Sequence, residues 1–216
     1  MTAPTPTPTS GWTTEAQAAW YLERIGTDHP RRPGEVVLVE TLPPEPHRVL
    51  DLGGGDGRLT AMVLESRPSV AEAVLIDRSP PMLRRAAERF TDEPRVDVRH
   101  WDLHDAIDPL GEFDLIVSGF AIHHLEDARK RELFTEIARQ VRPGGLFANL
   151  EVVASASPRR HAEFLAAIGR TADDPEDRLA SVEDQVAWMR DAGLRNVDCL
   201  WRWRGFALLV GEALKQ

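Results

Sequence analysis

The sequence predicts an α/β protein, a doubly wound three-layer sandwich around a mostly parallel sheet of seven strands whose last strand is antiparallel. From residue 48 onward, apolar runs of strand length alternate with amphipathic segments of helical period, which is the pattern of strand–helix–strand units. A glycine-rich turn follows the first run, and two apolar runs separated by a short turn close the chain as an antiparallel hairpin. A chain of 216 residues that is 42% hydrophobic is long enough for one such domain with a full core.

The region before the sheet is predicted to be helical after a disordered start. Residues 1–11 alternate Thr and Pro with nothing to bury, and they lack the basic and apolar regions of a signal peptide, so we expect a disordered tail. Apolar side chains recur at helical spacing over 12–25, and prolines open and close a second short helix over 32–42. Residues 12–45 are therefore expected to form a helical cap within a single domain spanning 12–216.

Five strands and three helices alternate in the middle of the chain. Strands are predicted over 48–51, 73–77, 95–100, 113–118 and 146–153, and helices over 58–66, 82–90 and 128–141. Ser79 and Pro80 are typical of the N-cap and first position of the second helix. Pro143, Gly144 and Gly145 are expected to end the third helix as its C-cap and a turn. Strands joined by such crossovers lie parallel.

The last quarter of the chain holds an insertion, a helix and the closing hairpin. Residues 154–192 contain a short insertion rich in Ala, Arg and Asp, followed by a helix whose N-cap is Ser181. The apolar runs 197–201 and 206–210 are the two strands of a hairpin within 193–216. These strands complete the sheet, and the hairpin makes its last strand antiparallel.

Composition excludes several function classes. A net charge of −9 argues against a broad phosphate-neutralising surface, so nucleic acid is not expected as a partner. The single cysteine, Cys199, excludes an internal disulfide framework and a cysteine-based zinc cage, and it fits a reducing compartment. The sequence has no run of about 20 apolar residues of the kind that spans a membrane. We therefore expect a soluble, cytoplasmic protein.

The most informative motif is the glycine turn within VLDLGGGDGRLT, residues 49–60. An apolar strand leads into Asp51-x-Gly53-x-Gly55-x-Gly57, which places unobstructed backbone at the carboxyl end of a sheet strand. Glycine permits positive φ angles and close approach of a ligand. Two cofactor classes use such a turn, dinucleotides and S-adenosylmethionine.

The register of the glycines separates these two cofactor classes. The dinucleotide fingerprint G-x-G-x-x-G/A fails in both registers, because its sixth position is Arg58 counted from Gly53 and Thr60 counted from Gly55. Asp51 stands immediately before the turn, where an anion repels a pyrophosphate but attracts the ammonium of a methionine moiety. The turn therefore favours S-adenosylmethionine.

Three motifs carry a resemblance to a known family. The sequence D-x-G-x-G-x-G after an apolar strand resembles motif I of the class I S-adenosylmethionine-dependent methyltransferases. F-D-x-I-V-S-x-x-A-I-H-H-L at 113–125 is similar to the fourth motif of many bacterial small-molecule methyltransferases, and V-R-P-G-G-L-F follows at 141–147. The resemblance is strong over 48–153 and looser over 183–193 and the hairpin. It implies a Rossmann-like fold, a cofactor-binding core at 46–153, and methyl transfer to a small molecule.

The resemblance also implies a set of cofactor contacts at the carboxyl ends of the strands. Asp77 ends the second strand, where an acid accepts hydrogen bonds from the ribose hydroxyls. Asp102 and Leu103 follow the third strand, where the family places a carboxylate for the adenine amine beside an apolar contact; Asp105 and Asp108, close by in the sequence, are the alternatives for this carboxylate. The expected cofactor-binding residues are Asp51, Gly53, Gly55, Gly57, Asp77, Arg78, Met82, Asp102, Leu103, Ser118 and Phe120.

Two histidines follow the fourth strand, in the loop that faces the methyl group in this family. His123 and His124 are the predicted catalytic residues, because a hydroxyl or ammonium acceptor requires a general base and histidine suits neutral pH. His161 and Glu151 are weaker candidates. A metal site is suggested by the pattern His-His-x-x-Asp ending at Asp127, but no third clustered ligand is apparent in the sequence, so no metal is predicted.

The methyl acceptor is expected to bind outside the core sheet. The strand-four loop lacks the [N/D]-P-P-[Y/F] box of amino-methylating nucleic-acid enzymes, which favours a small molecule. Aromatic residues Trp12, Trp20 and Tyr21 of the N-terminal helix and the insertion 154–180 are the segments expected to contact it. The residues leave two alternatives open: an NAD-dependent oxidoreductase, and a non-catalytic module that binds S-adenosylmethionine. Neither the acceptor's identity nor the oligomeric state follows from the sequence.

Overall fold

The structure is a computed structural model that describes residues 14–24 and 29–214. The predicted tail 1–11 and Trp12 lie outside the described residues, as does the end of the helix expected over 12–25.

A seven-stranded sheet in the order β3-β2-β1-β4-β5-β7-β6 forms the middle layer. Its strands are β1 (Arg48–Leu52), β2 (Glu72–Asp77), β3 (Val96–His100), β4 (Phe113–Gly119), β5 (Val141–Val152), β6 (Arg195–Trp203) and β7 (Phe206–Glu212). Strands β1 to β5 pair parallel, whereas β7 pairs antiparallel with both β5 and β6. The predicted fold class is confirmed, including the single antiparallel strand.

Helices cover both faces of this sheet. They are α1 (Glu15–Arg24), α2 (Arg32–Thr41), α3 (Arg58–Ser66), α4 (Pro80–Arg89), α5 (Asp127–Gln140), α6 (Pro158–Ala167) and α7 (Val182–Asp191). Along β1, Val49 packs into a core with Leu38 of α2 and Val63 of α3, and Leu50 packs into the opposite core with Leu133 of α5. This alternation produces the three layers. Among these described helices, none has the length and apolar character to cross a bilayer.

The predicted end of the third helix is wrong. Helix α5 ends at Gln140 and β5 begins at the next residue, so Pro143, Gly144 and Gly145 lie inside a strand. The register of β5 against β4 shifts at this point. Gly144 has a φ of +81° and donates its N–H to the carbonyl of Ala213, just beyond β7. Because proline has no N–H for the ladder, pairing with β4 is interrupted here and a bulge results.

Helix α6 lies in the insertion, where no helix was predicted. It begins as α4 does: Ser157 Oγ accepts a hydrogen bond from a backbone N–H of the first turn, and Pro158 is the first helical residue. Ser79 and Pro80 have the same roles in α4, as predicted. Phe164 of α6 is 1% exposed and packs against the start of β7. The insertion therefore forms a wall over the carboxyl end of the sheet.

Candidate functional site

Backbone hydrogen bonds fix the conformation of the glycine turn after β1. Gly54 donates to the carbonyl of Ile76 at the end of β2, and the turn closes with the N–H of Gly57 on the carbonyl of Gly54. Gly53 and Gly55 have φ angles of +66° and +57°. A Cβ added to Gly53 would lie 2.3 Å from the Cβ of Ala121, whereas one added to Gly55 would meet nothing within 4 Å. Gly53 thus permits close packing against the loop after β4, and Gly55 leaves space for a ligand.

A cavity opens beside this turn, at the carboxyl ends of β1, β2 and β4. This first cavity is lined by the following predicted cofactor residues: Asp51, Gly53, Gly55, Asp77, Arg78, Met82, Asp102, Leu103 and Phe120. His124, one of the predicted catalytic residues, also lines it. The structure therefore brings the strand ends together at the edge of the sheet where doubly wound folds bind ligands.

Gly57 and Ser118 are the two predicted cofactor residues that do not line the first cavity. Gly57 is the N-cap of α3, and a Cβ there would lie 2.3 Å from Cε2 of Phe90. Ser118 is fully buried and donates its hydroxyl to the carbonyl of Leu52 at 3.0 Å. In this structure Gly57 leaves room for Phe90 behind the helix, and Ser118 ties β4 to β1. Their role as cofactor contacts stays a prediction.

Asp51 is a buried carboxylate in which one oxygen accepts a hydrogen bond and the other has no hydrogen-bond partner among the described residues. It is 1% exposed, and its Oδ2 accepts a hydrogen bond from Thr60 Oγ1 at 2.6 Å. Within the described residues, Oδ1 has no hydrogen-bond partner. Burial raises the pKa of Asp51 to about 7, against the hydrogen bond from Thr60, which lowers it. A cation in the first cavity would satisfy both the open oxygen and the charge.

Asp77, at the end of β2, stabilises the glycine turn through hydrogen bonds. Its Oδ2 accepts the N–H of Gly55 at 2.9 Å, and its Oδ1 accepts the N–H of Ser79 at 2.7 Å. Burial raises its pKa, although these two hydrogen bonds favour the charged form. Each carboxylate oxygen has a further lone pair, so the side chain can accept additional hydrogen bonds from hydroxyls in the cavity.

Asp102 and Leu103 follow β3 and also line the first cavity. Asp102 accepts hydrogen bonds from the backbone N–H of His104 at 2.9 Å and pairs with its Nδ1 at 2.8 Å. Partial burial opposes ionisation, but the bonds from His104 outweigh it and lower the pKa of Asp102. The cavity therefore has a charged acceptor next to the apolar side chain of Leu103, which is 8% exposed.

A buried ion-pair network on the cap side of the first cavity has no counterpart in the sequence-based prediction. Arg31 is 5% exposed; its Nε lies 3.1 Å from Glu35 Oε1, and it donates to the hydroxyl of Tyr21 at 2.9 Å. Arg58, at the start of α3, pairs with the same Glu35. The four-residue spacing of Arg31 and Glu35 is a local signal, but Arg58 joins them only through the fold.

A second cavity adjoins the first. The two share Tyr21, Arg31, Phe120 and His124. The remaining wall of the second cavity includes an apolar group and an acidic group of residues: Phe164, Leu165, Ile168 and Phe206, and Asp173, Asp174 and Asp177. Trp20 of α1 also lines it, as expected for the aromatic face of the cap. Helix α6 and the loop after it supply most of this wall.

His123 lines the second cavity and is held between two carboxylates. It lies in a 3-10 turn, Ile122–His124, with its Nδ1 2.6 Å from Glu151 Oε1 and its Nε2 3.4 Å from Asp177 Oδ1. Burial disfavours the charged ring, but the attraction of Glu151 and Asp177 outweighs it and raises the pKa of His123 to about 9. In the ligand-free protein at neutral pH this ring is protonated.

His124 stands at the junction of the two cavities. Its Nδ1 lies 3.6 Å from Asp177 Oδ1. Burial, together with the charge of His123, lowers the pKa of His124 well below its usual value. The two predicted catalytic residues therefore differ in charge, since His124 is neutral where His123 is protonated.

Of the two weaker catalytic candidates, Glu151 belongs to the histidine cluster and His161 lies outside it. Glu151 is fully buried and contacts His123 directly. His161 pairs with Asp173 at 2.8 Å and is not a wall residue of either cavity. Asp127, the acid of the His-His-x-x-Asp pattern, is 55% exposed and pairs with Lys130. The acid that does approach both histidines, Asp177, is too distant in sequence for any local pattern to reveal.

The chain is similar in sequence to known methyltransferases. Residues 49–145 match a family model described as a methyltransferase domain. An uncharacterized methyltransferase of Mycobacterium bovis is 39% identical over 100 residues, which are 46% of this chain and 48% of that protein. The trans-aconitate 2-methyltransferase of Methylobacterium nodulans is 31% identical over 203 residues, 90% of this chain and 74% of that protein. Against several curated relatives, the matched region spans about half of their length.

The fold is also found among solved structures. Human N-acetylserotonin methyltransferase in complex with S-adenosylmethionine superimposes with a TM-score of 0.69 at 16% identity, covering 94% of this chain and 57% of that chain. None of these similarities supports the oxidoreductase alternative.

Proposed function

This chain belongs to the class I S-adenosylmethionine-dependent methyltransferase superfamily, and we propose that it binds S-adenosylmethionine in the first cavity and methylates a small molecule held in the second. The observation that carries this proposal is the open oxygen of Asp51, a buried carboxylate beside a glycine turn. A buried charge of this kind is costly unless a cation pairs with it. The ammonium of the methionine moiety is such a cation.

The other residues of the first cavity fit the remaining parts of the cofactor. Asp77 has spare lone pairs for ribose hydroxyls, and Asp102 beside Leu103 offers an acceptor and an apolar contact for adenine. The guanidinium groups of Arg31 and Arg58 lie on the cap side of the same cavity and suit the methionine carboxylate. The alternative of a non-catalytic module shares all of these contacts, so it is separated from an enzyme only by turnover.

The chemistry that the cofactor supplies is an activated methyl group for in-line substitution. The protein then has two tasks, which are to align the acceptor with that methyl group and to receive the acceptor's proton. Alignment of this kind is worth about 7 kcal/mol or more. The residues shared by both cavities, Phe120 and His124 among them, lie where the two ligands meet.

We place the reacting atom of the acceptor beside His123 and His124. Removal of a proton requires a group that can accept one, and at neutral pH this is the neutral ring of His124 or the carboxylate of Asp177. His123 acts as the fixed partner that holds Asp177 in place, because Glu151 orients its ring from behind. The apolar wall of the second cavity suits an acceptor with an apolar body.

Two further properties rest on the sequence alone. We propose a cytoplasmic location from the single cysteine, and a small molecule in preference to nucleic acid from the net charge of −9.

The test has a binding arm and a turnover arm. Isothermal titration of the full chain with S-adenosylmethionine and with NAD should show binding of the first only. Incubation with methyl-labelled S-adenosylmethionine and pools of small acceptors, carboxylic acids included because one relative is a trans-aconitate 2-methyltransferase, should label a product. NAD binding without S-adenosylmethionine binding would overturn the proposed cofactor. Cofactor binding with no labelled product from any pool would favour the non-catalytic module.

A further inference from the structure

We propose that His123, His124 and Asp177 form a binding site for one divalent transition-metal ion on the wall of the second cavity. The three side chains come from the turn after β4 and from the insertion, and they are 7%, 17% and 6% exposed. Each offers one ligand atom, and these atoms all lie within 4.8 Å of one another. The cluster is therefore buried and convergent, unlike a group of surface acids.

Two of the three distances between ligand atoms match those around a tetrahedral ion. His123 Nε2 and His124 Nδ1 lie 3.4 and 3.6 Å from Asp177 Oδ1. Bonds of about 2.0 to 2.2 Å to a tetrahedral zinc ion place pairs of ligand atoms about 3.4 Å apart. Two imidazoles and one carboxylate suit zinc, cobalt, nickel and ferrous iron, whereas magnesium and calcium prefer ligand sets made of oxygen.

The surroundings hold each ligand in a metal-binding orientation. Glu151, fully buried, pairs with Nδ1 of His123 at 2.6 Å and so directs Nε2 toward the cluster. A carboxylate behind a ligating histidine is the usual outer-shell arrangement of metal sites. The backbone N–H of Asp174 donates to Asp177 Oδ2 at 3.1 Å and leaves Oδ1 facing the histidines. The N–H of Arg178 bonds the carbonyl of His123 at 2.8 Å, which joins the two segments.

The local charge also suits a cation. Asp177 and Glu151 are two buried carboxylates, and in the part of the chain that the structure describes no Lys or Arg forms an ion pair with either of them. By contrast, the buried Glu35 of the first cavity is paired with arginines. In the ligand-free protein the counter-charge of these carboxylates is His123 itself. An ion with a double positive charge would displace the proton from His123 Nε2 and balance both carboxylates.

The role of the ion deepens the proposed function and rests on it. Three protein ligands leave a fourth position, as in catalytic metal sites, and here it would face the second cavity. An acceptor hydroxyl bound there would have a lowered pKa. In the metal-bound protein His124 and Asp177 would be ligands and would no longer act as bases, so the hydroxyl proton would leave to water. The oxygen electron pair would form the new O–C bond, and the C–S bond would break with its electron pair remaining on sulfur. The proposed acceptor class is therefore small molecules with a hydroxyl group.

The test measures metal binding directly, without any activity. The full chain, free of affinity tags and stripped with a chelator, is titrated with zinc and separately with cobalt, and bound metal is counted by elemental analysis. We expect one ion per chain, a tetrahedral cobalt absorption spectrum, and at least a 100-fold weaker affinity in His123→Ala, His124→Ala and Asp177→Asn. Glu151→Gln should weaken binding by about 10- to 100-fold.

A matched control is available on α6. His161 pairs with Asp173 at 2.8 Å outside the cluster, and His161→Ala should leave metal affinity unchanged. Circular dichroism of each variant checks folding, and Asp177→Asn keeps the shape of the side chain. Absence of stoichiometric binding, or equal loss of binding in His161→Ala, would overturn the metal site. If the metal site fails in either way while S-adenosylmethionine still binds, the proposed function is not contradicted. If the metal binds but S-adenosylmethionine does not, the proposed function is contradicted and the metal site is not.

Discussion

The two cavities are built in different ways although they share a wall. The first is lined largely by the glycine turn and by the short segments that directly follow β2, β3 and β4, each of which carries its own local sequence pattern. The second is built from side chains of the cap, the β4 loop, the insertion and β7. A cavity at strand ends can therefore be predicted from short sequence patterns. A cavity formed by packing of segments that are distant in sequence cannot be predicted in this way.

The largest expected loss of stability separates the two functions of the glycine turn. Gly53→Ala should lower the free energy of unfolding by about 3 kcal/mol, because strain at a positive φ adds to the 2.3 Å approach to Ala121. Gly55→Ala has the same kind of strain but no clash, so about 1 kcal/mol is expected. Urea unfolding of both variants measures the difference. Equal losses would show that the loop after β4 does not restrict the turn.

Asp51→Asn should weaken S-adenosylmethionine binding by about 2 to 3 kcal/mol, because the ammonium loses its charged partner. The same change should stabilise the ligand-free protein, by up to about 4 kcal/mol at pH 8, since a buried carboxylate with a pKa near 7 is removed. Titration calorimetry and urea unfolding measure the two effects. Asp56→Asn is the control, because Asp56 also lines the first cavity but pairs with Arg89; a similar loss of affinity there would contradict a specific role for Asp51.

The pH dependence should follow the same carboxylate. The pKa of Asp51 is 3.8 in an ordinary setting and about 7 in the ligand-free fold, so between these values the folded state holds more protons than the unfolded state. Its contribution to stability therefore falls as pH rises from about 4 to 7 and is at its lowest above pH 7. The affinity for S-adenosylmethionine should change in the opposite direction, because only the ionised carboxylate pairs with the ammonium. It should increase by up to tenfold for each unit of pH increase below pH 7. Both trends should vanish in Asp51→Asn.

The smallest expected effect tests whether the second cavity serves the acceptor alone. Arg170 lines the second cavity but not the first. Arg170→Ala should change cofactor affinity by less than about 0.5 kcal/mol while changing the KM of an acceptor found in the labelled screen. A loss of cofactor affinity as large as in Asp51→Asn would show that the two cavities do not divide the ligands in this way.

Local sequence signals were sufficient for most of the sheet. Apolar runs such as that of β1 mark buried parallel strands, and the strand ends then place Asp51, Asp77 and Asp102 at one edge. Helix α6 is absent from the sequence-based prediction because the composition of the insertion, rich in Ala, Arg and Asp, does not reveal it, although Ser157-Pro158 repeats the start of α4. The Pro-Gly-Gly segment has the local pattern of a turn, whereas the bulge that it forms depends on hydrogen bonds to a segment distant in sequence.

The acceptor side could not be predicted to the same extent, for a physical reason. His123 and His124 were identified from their motif, but their protonation depends on Glu151 and Asp177, which approach only in the folded chain. Arg58 likewise joins Glu35 across two helices. Charges interact through space, so the pKa of a buried group cannot be deduced from its sequence neighbours.

The residues common to both cavities connect the two ligands thermodynamically. Tyr21, Arg31, Phe120 and His124 line both cavities, so any shift in these side chains on binding one ligand alters the free energy of binding the other. Linkage is reciprocal: the factor by which the cofactor changes acceptor affinity equals the factor by which the acceptor changes cofactor affinity. If the proposed function is correct, the demethylated cofactor fills the same cavity, and its release is then coupled to the departure of the methylated product.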